Sequence, residues 1–142
     1  MELPTKIQEQ IDIYDEQIEV TFSKKEYRKI IDIELKKWDI LPDKKETWDE
    51  SFHIAKSLVD EYLRINNISS AKEWSEILFN CDLERIDDGE REFVAGRANF
   101  ESKEFSIASK YFKIADEKSE GYAFEDEDPK YLDFHKNPEK YK

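Results

Sequence analysis

The chain has 142 residues, of which 41% are charged and 38% hydrophobic, and its formal net charge is −12. A domain of this length buries roughly two-thirds of the surface that its unfolded form exposes, and the 13% aromatic content supplies the apolar side chains that a disordered chain would lack. With 3 Gly, 4 Pro and 1 Cys, the composition excludes collagen-like, low-complexity and disulfide-framework proteins. His53, His135 and Cys81 leave little material for a metal centre or for Ser-His-Asp chemistry.

The charge and hydropathy patterns also predict location and partners. No apolar run approaches the roughly 20 residues of a membrane-spanning helix, and residues 1–5 lack the basic and apolar stretches of a secretory signal. We therefore expect a cytoplasmic protein that binds no membrane. The acidic surface repels phosphate backbones, so nucleic acid is not an expected partner, whereas a basic protein surface is attracted. A purely solubilising role for most of these charges is an equally good interpretation.

Six helix starts are predicted from capping residues. Four of them carry the capping box, in which Ser or Thr is followed three residues later by Glu or Gln. These pairs are Thr5 and Gln8, Ser23 and Glu26, Thr47 and Glu50, and Ser70 and Glu73. For the fifth and sixth helices, Asp87 or Asp88 and then Ser102 are the candidate caps.

Each predicted helix carries one apolar stripe with helical spacing. The stripes contain Ile7, Ile11, Tyr14 and Ile18; Tyr27, Ile31, Leu35 and Trp38; Phe52, Ala55, Val59 and Tyr62; Trp74, Ile77, Leu78 and Cys81; Phe93, Val94, Gly96 and Phe100; and Phe105, Ala108, Phe112 and Ala115. Connections inside consecutive pairs are short, which predicts an all-α fold of three antiparallel helix hairpins over about 5–41, 47–86 and 89–120. We expect a single domain over 1–142.

The segment over 121–135 differs from the hairpins. It contains an acidic run at 125–128 directly before a proline, which is typical of a helix start. We predict an acidic loop followed by a short C-terminal capping helix, whose Leu132 and Phe134 would cover the exposed face of the last hairpin. Residues 136–142 are expected to form a frayed tail.

Small and aromatic side chains alternate in the last hairpin. They are Gly96, Phe105, Ala108, Phe112 and Ala115. Small residues let two helices approach closely, while the aromatic rings fill the gaps beside them. This pattern resembles the tetratricopeptide repeat, with a good match over 89–121, a partial match over 47–86 and only an architectural match over 5–41. The resemblance implies that the hairpins stack as a short right-handed superhelix and that the first helix of each pair lines a groove.

The candidate binding residues come from that implied groove and from two acidic clusters, at 82–92 and 125–128. The partner-binding candidates are Asp87, Asp88, Glu90, Arg97, Glu101, Glu125, Asp126, Glu127 and Asp128. The run at 125–128 lacks the D-x-D-x-D-G order of a calcium loop, and the proline after it removes a backbone donor. We therefore predict neither a metal site nor a cofactor.

The sequence motifs favour binding over catalysis. A Gly-rich phosphate loop, an H-E-x-x-H motif and a nucleophile elbow are all missing from the sequence, so an enzyme is not expected. In composition and style the chain resembles the small tetratricopeptide-like immunity proteins encoded beside bacterial polymorphic and contact-dependent toxins. That resemblance implies binding to a basic toxin domain, such as a nuclease, and occlusion of its active site or substrate surface. The alternative is a tetratricopeptide-like adaptor or co-chaperone domain that binds a peptide segment of a partner. The oligomeric state is left open.

Overall fold

The computed structural model describes residues 2–83 and 88–141. Within these residues the chain forms α-helices and 3-10 turns and contains no strand. The all-α prediction is therefore confirmed. The chain divides into two compact units, residues 1–83 and 84–142, and each unit has its own apolar core. The single domain over 1–142 and the stacking of the hairpins into a superhelix remain predictions.

The first unit contains four helices, each packed against the next along the chain. They are α1 (Thr5–Ser23), α2 (Tyr27–Ile40), α3 (Asp49–Arg64) and α4 (Ile68–Leu78), with a 3-10 turn at Lys45–Thr47 before α3. Helix α3 supplies the centre of this unit, because Phe52, Leu58 and Val59 are fully buried. Helix α1 buries only Ile11, so it forms one edge of the unit.

The second unit begins with the hairpin of α5 (Glu90–Glu101) and α6 (Phe105–Ser119). A 3-10 turn at Tyr122–Phe124, helix α7 (Pro129–Lys136) and a 3-10 turn at Pro138–Tyr141 follow. The predicted start of α7 is confirmed, since the Asp128 carboxylate accepts a hydrogen bond from the N–H of Lys130 at 3.0 Å. Phe134 is fully buried as expected. Leu132 is instead exposed, because it lies on the opposite side of α7.

Helices α5 and α6 approach closely at Gly96. A Cβ atom at this position would lie 2.6 Å from Cε1 of Phe112, a distance that real Cβ atoms do not reach. Ala108 and Ala115 on α6 are fully buried. The close crossing that the small residues predict is therefore present in the last hairpin.

One turn geometry joins the two helices of every hairpin. Its left-handed residues are Lys25, Asn66 and Lys103, with φ angles of 58°, 62° and 64°. In each turn the following N–H donates to the carbonyl five residues earlier, at 2.8 to 3.2 Å. This pairing is the Schellman motif, which satisfies carbonyls that a helix end leaves open.

The four predicted capping boxes are wrong, and the shared turn explains the failure of those before α2 and α4. The residue that closes each Schellman turn is also the N-cap of the next helix, so the preceding turn sets the helix start. These N-caps are Glu26, Asn67 and Glu104. Only Asn67 accepts a side-chain capping bond among the three, from the N–H of Ser70 at 3.3 Å. The other two predicted boxes fail because Pro4 and Trp48 occupy the cap positions of α1 and α3.

A partly buried ion pair connects α1 and α2, and a buried carboxylate lies on α3. The side chain of Glu34 is only 4% exposed and lies 3.2 Å from Nζ of Lys37, which also lies 2.6 Å from a carboxylate oxygen of Asp15. The second carboxylate oxygen of Glu34 has no hydrogen-bond partner. Burial raises the pKa of Glu34 from 4.5 to about 7, against the lowering effect of Lys37. Burial also raises the pKa of Glu61 on α3, although Arg64 lies 3.3 Å away.

We expect Ala108→Leu to lower the free energy of unfolding by about 1–3 kcal/mol, because the larger side chain overpacks a close helix crossing. The matched control is Ser106→Leu, which adds the same side chain at an exposed position of α6 and should change stability by less than about 0.5 kcal/mol. Urea unfolding measures both. Equal stability of the Ala108 variant and the parent would show that α5 and α6 are not closely packed at this residue.

We expect Glu34→Gln to stabilise the protein at pH 8 by about 2–3 kcal/mol, and by less at pH 5.5. As the pH rises from 4.5 towards 7, the unfolded chain releases the Glu34 proton while the folded protein retains it. The protonated Glu34 carboxyl therefore makes its full contribution to folding stability below pH 4.5, the pKa in the unfolded chain. That contribution is lost as the pH rises through about 7, the pKa in the folded protein. The glutamine side chain of the variant does not titrate, so this part of the pH dependence of stability disappears. Denaturant unfolding at the two pH values, with the exposed Asp32→Asn as control, checks the prediction; identical pH profiles for parent and variant would contradict it.

Candidate functional site

The acidic start of α5 is fixed by its backbone. Asp88 is exposed, and its carboxylate accepts a hydrogen bond from the N–H of Glu90 at 2.9 Å. Gly89 between them has a φ of +80°, and a Cβ atom there would lie 2.8 Å from the carbonyl oxygen of Ala115. The glycine therefore permits both the left-handed turn and the close approach to α6. Asp87, which is also predicted to bind a partner, lies outside the described residues.

The predicted groove residues of α5 pair with the C-terminal segment of the chain. Arg97 lies 3.9 Å from the Glu127 carboxylate, and its side chain is only 13% exposed. Glu101 lies 2.7 Å from Nζ of Lys130 and accepts a hydrogen bond from the hydroxyl of Tyr131 at 3.1 Å. Because Tyr131 is buried beside Glu101, its pKa is raised well above the usual range. It therefore stays protonated and keeps donating.

Aromatic rings of the C-terminal segment cover the same face of α5. The ring centroid of Phe93 lies 5.1 Å from that of Phe124 and 5.9 Å from that of Tyr131. Phe100 lies 5.0 Å from Phe134. The α5 face on which the tetratricopeptide resemblance places a groove is therefore occupied by the chain itself.

The acidic loop, residues 125–128, is exposed along its length and is anchored at both ends. Before it, the buried Phe124 contacts α5 and α6. After it, Asp128 caps α7. Asp126 adopts a left-handed φ of 61°. Glu125 and Asp126 form no ion pair within the described residues. The loop therefore presents its carboxylates from a fixed backbone.

The structure brings together only part of the predicted set. Arg97, Glu101, Glu127 and Asp128 lie along the contact between α5 and the start of α7, whereas Asp88 and Glu90 lie at the first turn of α5. Sequence analysis missed the two partners of Glu101, the ammonium group of Lys130 and the hydroxyl group of Tyr131. The signal was present in the aromatic spacing 124, 131, 134 and 141, which marks one apolar side of the C-terminal segment.

The surroundings of His135 and Cys81 indicate roles in packing and hydrogen bonding within the fold. Nε2 of His135 lies 3.0 Å from a carboxylate oxygen of Asp116, and its ring stacks on Phe124 at 5.1 Å. This contact ties α7 to the end of α6. His53 is exposed, and the buried Cys81 donates to the carbonyl of Ile77. Within residues 2–83 and 88–141, no three His, Cys, Asp or Glu side chains form a cluster able to hold a metal ion.

The hydropathy of the helices and the similarity of the chain to known proteins also bear on function. None of the helices in the described part of the chain is both long and apolar enough to cross a membrane. Comparison of the chain with protein-family models, with curated proteins and with solved structures gives no match. The geometry of the acidic loop and of α5 is therefore the basis of the functional proposal.

We expect Tyr131→Phe to lower the free energy of unfolding by about 1–3 kcal/mol, because the buried hydroxyl donates to the charged Glu101 carboxylate. Tyr122→Phe is the control, since Tyr122 is 67% exposed and should tolerate the same change. Thermal and urea unfolding measure the two variants side by side. If both variants matched the parent, the hydrogen bond between α7 and α5 would contribute nothing to stability.

Proposed function

We propose that the protein is an immunity protein that binds a cognate bacterial toxin domain and occludes its active site or substrate surface. The observation that carries the proposal is the exposed acidic loop, held in place by α5 and α7. The backbone of the loop is anchored at Phe124 and at Asp128 before a partner arrives, so less backbone freedom is lost on binding.

The chemistry of the loop favours a basic protein as the partner. Arg97 and Lys130 neutralise Glu127 and Glu101, which leaves the exposed Glu125 and Asp126 as the outward charges of the loop. A nuclease or another toxin that acts on nucleic acid has a basic substrate surface. Carboxylates on a fixed loop can occupy that surface in place of phosphates and can steer the encounter.

The alternative is a tetratricopeptide-like adaptor or co-chaperone domain that binds a peptide. That function needs an open groove along the first helix of a hairpin. In the second unit, Phe124, Tyr131 and Phe134 already cover the corresponding face of α5. A peptide would have to displace this aromatic packing, and the acidic loop is therefore the better supported binding surface.

The test reverses the charge of the two outward residues, Glu125→Lys and Asp126→Lys, and leaves Glu127 and Asp128 intact because they hold Arg97 and cap α7. With a candidate toxin domain taken from a gene adjacent to the one for this protein, we expect the association rate at low salt to fall about tenfold, since exposed charges act mainly on encounter. The difference should shrink as salt rises. Protection of cells from the toxin should weaken in parallel.

The control is Glu73→Lys with Glu76→Lys, which makes the same change of net charge at exposed positions of α4. Its association rate should stay within about twofold of the parent. Unchanged kinetics for the loop variant would remove the loop from the interface. If the parent protein does not bind that toxin domain, the immunity function is rejected and the adaptor function becomes the leading one.

A further inference from the structure

A groove of about 580 Å³ lies in the second unit between α6 and the final 3-10 turn. Its apolar lining comes from Phe105, Phe134 and Pro138. Among these, Phe134 is fully buried and forms the base beneath the groove, whereas the half-buried Phe105 and the exposed Pro138 offer surface to a ligand. Sites for small molecules typically occupy about 300–1,000 Å³, with mostly apolar walls and a few polar groups. The groove has the size and the lining of such a site.

The wall formed by the final turn is fixed, although we predict this tail to fray. The hydroxyl of Tyr141 donates to the Asp133 carboxylate, and that hydrogen bond lowers the pKa of Asp133. The ring of Tyr141 lies 5.3 Å from that of Phe134 and 5.5 Å from that of Phe100. An aromatic residue near the chain end therefore holds Pro138 against α6, which the polar composition of the tail does not reveal.

The polar rim of the groove is positive on a protein whose net charge is −12. Lys110 and Lys113 line it from α6 and are exposed, and Ser109 adds a hydroxyl group beside them. Glu139 is the acidic residue of the described lining. Two ammonium groups thus stand next to an apolar surface, an arrangement that attracts an anion and repels a cation.

We propose that this groove binds a small organic anion with an aromatic or aliphatic body and a single carboxylate or sulfonate group. The body lies on Phe105 and Pro138, and the anionic group lies between Lys110 and Lys113. The acidic loop is proposed to bind a basic protein, whereas this groove is proposed to bind an anion, so the two sites take ligands of opposite charge. It adds a ligand-binding function to a protein-binding one.

The experiment uses two fluorescent probes that differ only in charge, 8-anilinonaphthalene-1-sulfonate and its neutral analogue N-phenyl-1-naphthylamine. We expect saturable binding of the sulfonate by the native full-length protein, with an affinity that falls as salt rises. The neutral probe should bind more weakly and without dependence on salt. Near-ultraviolet circular dichroism under the same conditions establishes that the protein is folded, since partly folded states also bind the sulfonate probe.

The decisive variant is Lys110→Glu with Lys113→Glu, which reverses the rim and leaves the apolar lining intact. Its affinity for the sulfonate should fall about tenfold or more, while its affinity for the neutral probe stays within about twofold. The matched control is Lys6→Glu with Lys36→Glu, which makes the same change of net charge at exposed positions of α1 and α2. Both affinities of the control should equal those of the parent.

Two further measurements locate the site and identify the class of ligand. Amide NMR shifts on titration with the sulfonate should concentrate at Ser109, Lys110 and Glu139. Decanoate should displace the probe, whereas an acetylated acidic peptide amide should not. The proposal is overturned if the parent shows no saturable binding, if the rim and control variants behave alike, or if only the peptide displaces the probe.

Discussion

Aromatic packing between α5 and the C-terminal segment is the constraint on which the second unit depends. Phe93 and Phe100 supply the rings on α5, and Phe124, Tyr131 and Phe134 supply the rings that cover them. Edge-to-face pairs of this kind add about 0.5–1.5 kcal/mol each beyond the burial of their area. The same contacts fix the acidic loop between Phe124 and α7, and they bring the final turn against α6. Both proposed binding surfaces therefore have their geometry set by one cluster of rings.

The sequence predicts the helices well because their signal is local. Apolar spacing places every helix of the described chain within a few residues of its observed bounds, and Asp128 before a proline marks α7 correctly. The capping boxes before α2 and α4 fail for a physical reason: a Schellman turn of the preceding helix already defines the next start. That turn is hard to read from the sequence, since Lys25, Asn66 and Lys103 occupy the left-handed positions where glycine is the usual signal.

The sequence predicts which acidic residues form the candidate site, but it does not predict which basic residues pair with them. The acidic run at 125–128 stands out in the sequence, and its exposure follows from its charge. The pairing of Arg97 with Glu127, and of Glu101 with Lys130, joins residues about 30 positions apart, which no local pattern encodes. The cover over α5 is predicted only in part: the sequence indicates Phe134 as a covering residue, whereas the roles of Phe124 and Tyr131 depend on tertiary packing.

The left-handed turns have a consequence for how this protein can be changed. A residue with a side chain loses roughly 1–2 kcal/mol in the left-handed region, which glycine visits freely. Lys25 and Lys103 are both exposed and lie in hairpin turns outside the acidic loop and outside the lining of the groove. Replacing either lysine with glycine would remove this strain and stabilise the fold without altering either proposed binding surface. A substitution in a binding surface can weaken the fold, and a change in one of these turns can compensate for the loss. The binding surfaces can therefore diverge more than the narrow stability margin of a small protein suggests.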